Sequence, residues 1–131
     1  MQKIVLLLIL FSISLFAEIK NSYISQEMID SGIKIVDIRT PGEWKEMGLI
    51  EGSIPIMFFN EKGNYDVEGF LHVLNTKIDT SKTFALICHV GSRTAIVADF
   101  LSNEMKYNVI NLLGGIEYAT KELKIKTVPY K

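Results

Sequence analysis

The chain has 131 residues, 48% apolar and 22% charged, which suits one compact domain with a real core and leaves no room for a second. Its 14 basic and 15 acidic residues nearly cancel, and no basic block or stripe is present, which excludes the electrostatic footprint of a nucleic-acid binder. A single cysteine excludes a disulfide framework, so the fold must stand on its core.

The chain opens with Met1-Gln2-Lys3, a short positive start. Ile4 to Phe16 is then almost wholly apolar, and Ala17 is followed at once by Glu18. A secretory signal peptide has this layout, with an apolar region of roughly 7–15 residues and a small residue at the cut. The expectation is a signal peptide over residues 1–17, cleaved near Ala17, export to a bacterial periplasm, and one domain over residues 19–131. The run falls short of the ~20 apolar residues of a membrane-spanning helix, so the mature form is expected to have no span. The alternative is membrane anchoring by an uncleaved N-terminal segment.

Strand-like and helix-like segments then alternate. Ser25 to Gly32 reads as a short helix, with Ser25 as N-cap and Gly32 ending it. Ile33 to Ile38 is a β-branched apolar run, a buried strand. Thr40-Pro41-Gly42-Glu43 forms a capping box with proline at the first helical position, opening a brief helix through Trp44 and Met47 that Gly48 closes. Ser53 to Phe59 suggests a strand that Pro55 confines to an edge or makes irregular. A polar turn over Asn60 to Asn64 follows, and Val67, Phe70, Leu71 and Leu74 mark a helix from Asp66 to Leu74 laid on a core. Thr83 to Cys88 is a second buried strand. Arg93 to Met105 reads as a helix with Ile96, Val97, Phe100 and Leu101 facing inward. Asn108 to Leu112 is the last strand, and Gly114-Gly115 turns into a helix around Ile116 to Leu123. This alternation predicts an α/β domain: an open, mainly parallel sheet of about four to five strands with helices on both faces.

Chemistry concentrates at Cys88-His89-Val90-Gly91-Ser92-Arg93. Cys88 ends a buried strand and a helix begins a few residues later; ligands of open α/β sheets bind beyond the carboxyl ends of the strands. Gly91 is free to adopt backbone angles that other residues avoid. The loop N–H groups can then turn inward as a nest, reinforced by the positive end of the following helix dipole, a cradle that favours anions and hence a thiolate. Arg93 adds a permanent positive charge. Together they predict a nucleophilic Cys88 with an anion site in front of it; the alternative is that Cys88 merely packs and Arg93 is a solvated residue of the first helical turn. His89 either donates a proton, contacts an anionic donor, or points to water. His72 sits on a predicted helix with no visible partner. Two histidines and one cysteine offer no metal-ligand spacing, so no metal is expected.

Three separated segments stand in a recognisable order and spacing: Asp37-Ile38-Arg39-Thr40-Pro41-Gly42-Glu43-Trp44 with Gly48 to Ile54 after it, the loop Cys88 to Arg93 with Thr94, and Leu113-Gly114-Gly115-Ile116. Together they resemble the rhodanese homology domain over most of the mature length. The resemblance implies a cysteine nucleophile that accepts a sulfane sulfur as a persulfide and passes it to a thiophilic acceptor. Cys88 matches that nucleophile, and His89, Val90, Gly91, Ser92 and Arg93 match the cradle. Asp37 and Arg39 match the family's acidic-x-basic pair, read as a structural ion pair near the site. Four residues separate Cys88 from Arg93, as in the sulfurtransferases; related phosphatases have a loop one residue longer, because phosphate is larger than a sulfur atom. The chain departs from the family at Leu49, where a histidine is frequent, and near Ala119, where an aromatic is.

The implied function is a sulfurtransferase that moves sulfane sulfur from thiosulfate, polysulfide or a persulfide to a thiol or cyanide acceptor, with no cofactor. Its expected partners are a small anionic donor and that acceptor, and no nucleic acid. Two other readings stay open: a non-turnover sulfur carrier or sensor serving a partner protein, and a phosphatase or arsenate-type enzyme, which the short loop disfavours.

Overall fold

The structure, a computed structural model, describes residues 19–131. The segment read as a signal peptide lies outside the described residues. Among these, no helix is long and apolar enough to cross a membrane.

Five strands form one parallel sheet: β1 (Ile19–Ser22), β2 (Lys34–Asp37), β3 (Ile54–Pro55), β4 (Phe84–Ile87) and β5 (Val109–Leu112), in the spatial order β1-β5-β4-β2-β3. Every pairing is parallel. The central strand β4 is buried along its whole length between β2 and β5, which is why Phe84-Ala-Leu-Ile reads as an unbroken apolar run.

The helices are α1 (Gln26–Asp30), α2 (Pro41–Met47), α3 (Val67–Lys77), α4 (Ser92–Asn103) and the single turn α5 (Gly115–Glu117). Strand alternation divides the core. Val36, Phe84, Leu86 and Cys88 fall in one cluster with Phe70 and Leu74 of α3 and Val97 and Leu101 of α4. Ile35, Ala85, Ile87, Ile110 and Leu112 fall in the other, with Ile24, Ile50, Ile116 and Ala119. The same two-residue period that puts Phe84 and Leu86 under α4 therefore carries Cys88, two residues on, to the face where α4 begins.

Local signals operate as their chemistry demands. Ser25 Oγ accepts from Met28 N, Asp66 caps α3, and both halves of the Thr40–Glu43 capping box are made. Four readings change. β1 carries no β-branched run to announce it; its register against β5, Ile19 on Val109 through Ser22 on Leu112, makes it a strand. β3 keeps only two residues of the predicted seven, because Pro55 has no N–H to give and the chain leaves β2 there. Of the four residues expected to face inward on α4, Val97 and Leu101 are fully buried and Phe100, half-buried, packs against the same core, but Ile96 is 62% exposed; Thr94, Ala98 and Ser102 complete the buried face. The last helix makes one α turn and then widens to a π turn over Tyr118–Glu122. There the Thr120 hydroxyl donates to the Ile116 carbonyl at 2.9 Å, taking the acceptor that an α-helical N–H would use.

Candidate active site

Cys88 sits one residue past β4 and has no exposed surface. Gly91 supplies the turn between strand and helix: its φ of +99° is open to glycine and strained for other residues, and it is the N-cap of α4. That turn aims the Gly91 N–H back at the sulfur, N to Sγ 3.2 Å. Thr94, in the first turn of α4, places Oγ1 3.6 Å from the same sulfur. The thiol thus lies at the positive end of a twelve-residue helix, within reach of one backbone donor and one hydroxyl.

The loop is clamped from behind. Ile116 N donates to the Cys88 carbonyl at 2.9 Å and Glu117 N to the His89 carbonyl at 3.1 Å. Gly115 lies so close to these two carbonyl oxygens that a Cβ there would overlap both. The Gly114-Gly115 turn, a motif in sequence, is thus the backbone seat of the Cys88 loop.

Asp37 and Arg39, one strand over, form a fully buried ion pair, Nη2 to Oδ2 2.8 Å. Asp37 Oδ1 also accepts from Arg39 N and Nε, each at 3.0 Å, and from the Trp44 indole N–H at 3.1 Å. Arg39 Nη2 reaches on to the Gly48 carbonyl at 2.6 Å. Both charges are thereby saturated with hydrogen bonds, the condition for burying them, and the pair locks the start and end of α2 to β2.

Arg93, expected as the cation facing the thiol, directs its fork elsewhere: Nη1 and Nη2 each donate to a Glu43 carboxylate oxygen at 2.7 Å. Hydrogen bonds from Arg93, more than its Coulomb field, hold the Glu43 carboxyl down at about 2 from an ordinary 4.5, with the Thr40 backbone and hydroxyl helping. The same contact raises the Arg93 guanidinium above its usual range, and a smaller contribution comes from Cys88 nearby. Glu43 is the site residue that sequence reasoning missed. Its role in the capping box explained it, although a carboxylate at the start of α2, beside the strand next to β4, was also placed to meet the loop arginine.

His89 leaves 43% of its side chain exposed, with Nε2 3.9 Å from Glu117 Oε2. Glu117 is held low chiefly by its hydrogen bond from Lys121, Nζ to Oε1 2.7 Å. Val90 and Ser92 face outward on the loop, and His72 is exposed on α3, away from this cluster. A strand-end thiol, a four-residue loop and an arginine paired with Glu43 thus meet at the N-terminus of α4.

The chain matches the model of the Rhodanese-like domain over residues 21–122. It belongs to the rhodanese-like domain family. The match covers every residue of the loop, the Asp37–Arg39 pair and the Gly114-Gly115 seat. Among curated proteins, it is 32% identical over 93 residues to the uncharacterized protein RP600 of Rickettsia prowazekii (strain Madrid E), covering 69% of this chain and 74% of that one. Among solved structures, it is similar to the reduced Bacillus anthracis CoADR-RHD, with 25% identity and a TM-score of 0.58 over 78% of this chain and 16% of that larger one. SSP1007 from Staphylococcus saprophyticus is 29% identical at a TM-score of 0.53, covering 70% and 81% of the two chains. The rhodanese-like domain is the fold of a sulfurtransferase family, and the matched stretch includes Cys88.

Proposed function

We propose that this rhodanese-like domain is a sulfurtransferase that carries sulfane sulfur on Cys88. The observation that carries the reading is the sulfur's setting: Sγ at the N-terminus of α4, accepting from Gly91 N, inside a loop of only four residues before Arg93. In the first step the Cys88 thiolate attacks the outer sulfur of thiosulfate, polysulfide or an organic persulfide. The donor's S–S bond breaks and its electron pair leaves with the departing anion. In the second, cyanide or a thiol attacks the outer sulfur of the Cys88 persulfide, and the Cys88 thiolate leaves. This is covalent catalysis in which preset backbone dipoles favour the anionic states.

Cys88 has no exposed surface, so a donor reaches Sγ only if the surrounding loop opens. Export remains part of the proposal on the strength of the N-terminal layout; the mass of the protein's N-terminal peptide from its native cell envelope tests it, and an intact Met1 would refute cleavage.

The chemistry is tested by intact mass of the reduced protein after brief exposure to thiosulfate or polysulfide, with Cys88→Ser beside it. The expected result is a gain of sulfur that the variant lacks and that cyanide removes as thiocyanate. A free thiol that neither donor loads would overturn the reading. Loading without turnover on small acceptors would point to a carrier serving a partner protein.

A further inference from the structure

Behind Cys88 runs a line of polar side chains that the transfer steps above leave unused. Sγ lies 3.6 Å from Thr94 Oγ1, Thr94 donates to Asn111 Oδ1 at 2.6 Å, and Asn111 Nδ2 donates to Asn21 Oδ1 at 3.0 Å. Thr94 is fully buried and Asn111 is 4% exposed, whereas Asn21 on edge strand β1 is exposed. An amide inside β5, among Val109, Ile110 and Leu112, is costly to bury unless its polar ends are paired. Here the pairing begins at a surface asparagine and ends at the nucleophile.

A hydroxyl has one proton to give. While Thr94 gives it to Asn111, only lone pairs of Oγ1 face Sγ, which suits an S–H and opposes a thiolate or persulfide anion. The two amides can turn over together, since oxygen and nitrogen exchange places with little change of shape. Asn21 then donates to Asn111 Oδ1, Asn111 Nδ2 donates to Thr94, and the Thr94 proton is released toward Cys88, with the Gly91 carbonyl, 3.1 Å away, as its other acceptor. Both arrangements pair the buried amide; they differ in what the sulfur meets. We propose that the Asn21–Asn111 amide pair is a positioning relay that sets, through Thr94, whether Cys88 faces a hydrogen-bond acceptor or a donor. The resting thiol and the anionic forms of the reaction are thereby each given a matching neighbour. The relay deepens the sulfur-transfer reading, yet its test reads the thiol alone.

Asn21 is the handle, because it is exposed. Asn21→Asp presents only acceptors, which holds Asn111 Nδ2 outward and keeps the Thr94 proton away from Cys88. Asn21→Lys presents only donors and does the reverse. The readout is the thiolate-to-thiol ratio of Cys88 at one near-neutral pH, from ultraviolet thiolate absorbance with Cys88→Ser as baseline. A hydrogen bond to a charged group supports an expected change of about tenfold down for the aspartate and about tenfold up for the lysine. The new charges act through space in the same directions, so both substitutions are repeated on Thr94→Val and, should that variant fold poorly, on Asn111→Leu. The other charges around Cys88 (Arg93 with Glu43, Asp37 with Arg39, His89 beside Glu117) are unchanged throughout. The relay requires that most of each effect vanish once its middle is removed. Equal effects with and without Thr94, or no effect with it present, overturn the proposal. Failure of Cys88 to load sulfur would instead refute the sulfurtransferase reading and leave this measurement standing.

Discussion

Gly115→Ala adds one methyl group at the seat of the Cys88 loop, and the structure fixes what it should do. Gly115 has φ +57°, so alanine there incurs the left-handed penalty of roughly 1–2 kcal/mol. The added Cβ also overlaps the carbonyl oxygens of Cys88 and His89. Backbone cannot swing aside as a side chain end can, so the loop must shift, at a further cost of roughly 1–3 kcal/mol. The shift pulls the Cys88 carbonyl from Ile116 N, a bond of 2.9 Å contributing ~1 kcal/mol. Gly52→Ala is the internal control, since φ is +80° there and nothing lies within 4 Å of the new methyl. The expected loss is about 1 kcal/mol at Gly52 and about 3 kcal/mol or more at Gly115. Urea unfolding followed by fluorescence of the single tryptophan, Trp44, measures both. Equal losses at the two positions would refute the close approach; a larger loss at Gly115, with slowed sulfur loading at Cys88, would bear it out.

Other outcomes follow from the ion pairs. Asp37→Asn leaves the buried Arg39 without its counter-charge and should lower stability by about 3–5 kcal/mol in the same urea assay; a loss under about 1 kcal/mol would show that the pair is not the anchor described. Because folding holds the Glu43 carboxyl at about 2 against an ordinary 4.5, its contribution is complete above 4.5 and fades as pH falls through about 2. Melting temperatures from pH 5 downward should therefore drop more steeply for the natural protein than for Glu43→Gln, and parallel curves would refute the linkage. The same variant frees the Arg93 fork, so loading by dianionic thiosulfate should speed up several-fold relative to loading by a less charged alkyl persulfide, and an unchanged ratio would show that Glu43 does not restrain Arg93.

How far the sequence could be read depended on whether the determining interaction was local. The capping box, the Ser25 cap and the apolar strands around Val36 and Leu86 depend on neighbours within four residues or on burial from both faces, and they were legible. β1 depends on a partner ninety residues away, and its Ile-Lys-Asn-Ser carries no pattern of its own. Ile96 shows that apolar size alone does not set direction on a helix. On α4 the small and hydroxylated residues Thr94, Ala98 and Ser102 share the packed face with Val97 and Leu101, and Ile96 is left outside. At the site, Cys88, Gly91 and Arg93 announced themselves by spacing, whereas Glu43 and Asn111 did not. Glu43 already had a sufficient local explanation. Asn111 was one polar letter in an apolar strand, a mismatch whose meaning is visible only when Thr94 is seen beside it.

These placements decide which forces can select for an anion at Cys88. The formal charges nearby are matched in pairs: Asp37 against Arg39 at 2.8 Å, Glu43 against Arg93 at 2.7 Å. A matched pair presents a dipole whose field falls off faster than that of a lone charge, so neither arginine acts on the sulfur as a free cation would. What is unopposed is backbone: the Gly91 N–H at 3.2 Å, backed by the N-terminus of α4. Those dipoles are directed at one point and are held there by Gly91's left-handed turn and by the bonds from Ile116 and Glu117 to the loop carbonyls. On the proposed reading, any stabilisation of an anion would come from the loop's shape, and the charged residues around it would serve mainly to keep that shape. Substitutions that alter backbone geometry at Gly91 or Gly115 should therefore harm sulfur chemistry more than the conservative replacement Arg93→Lys, which keeps a cation on Glu43.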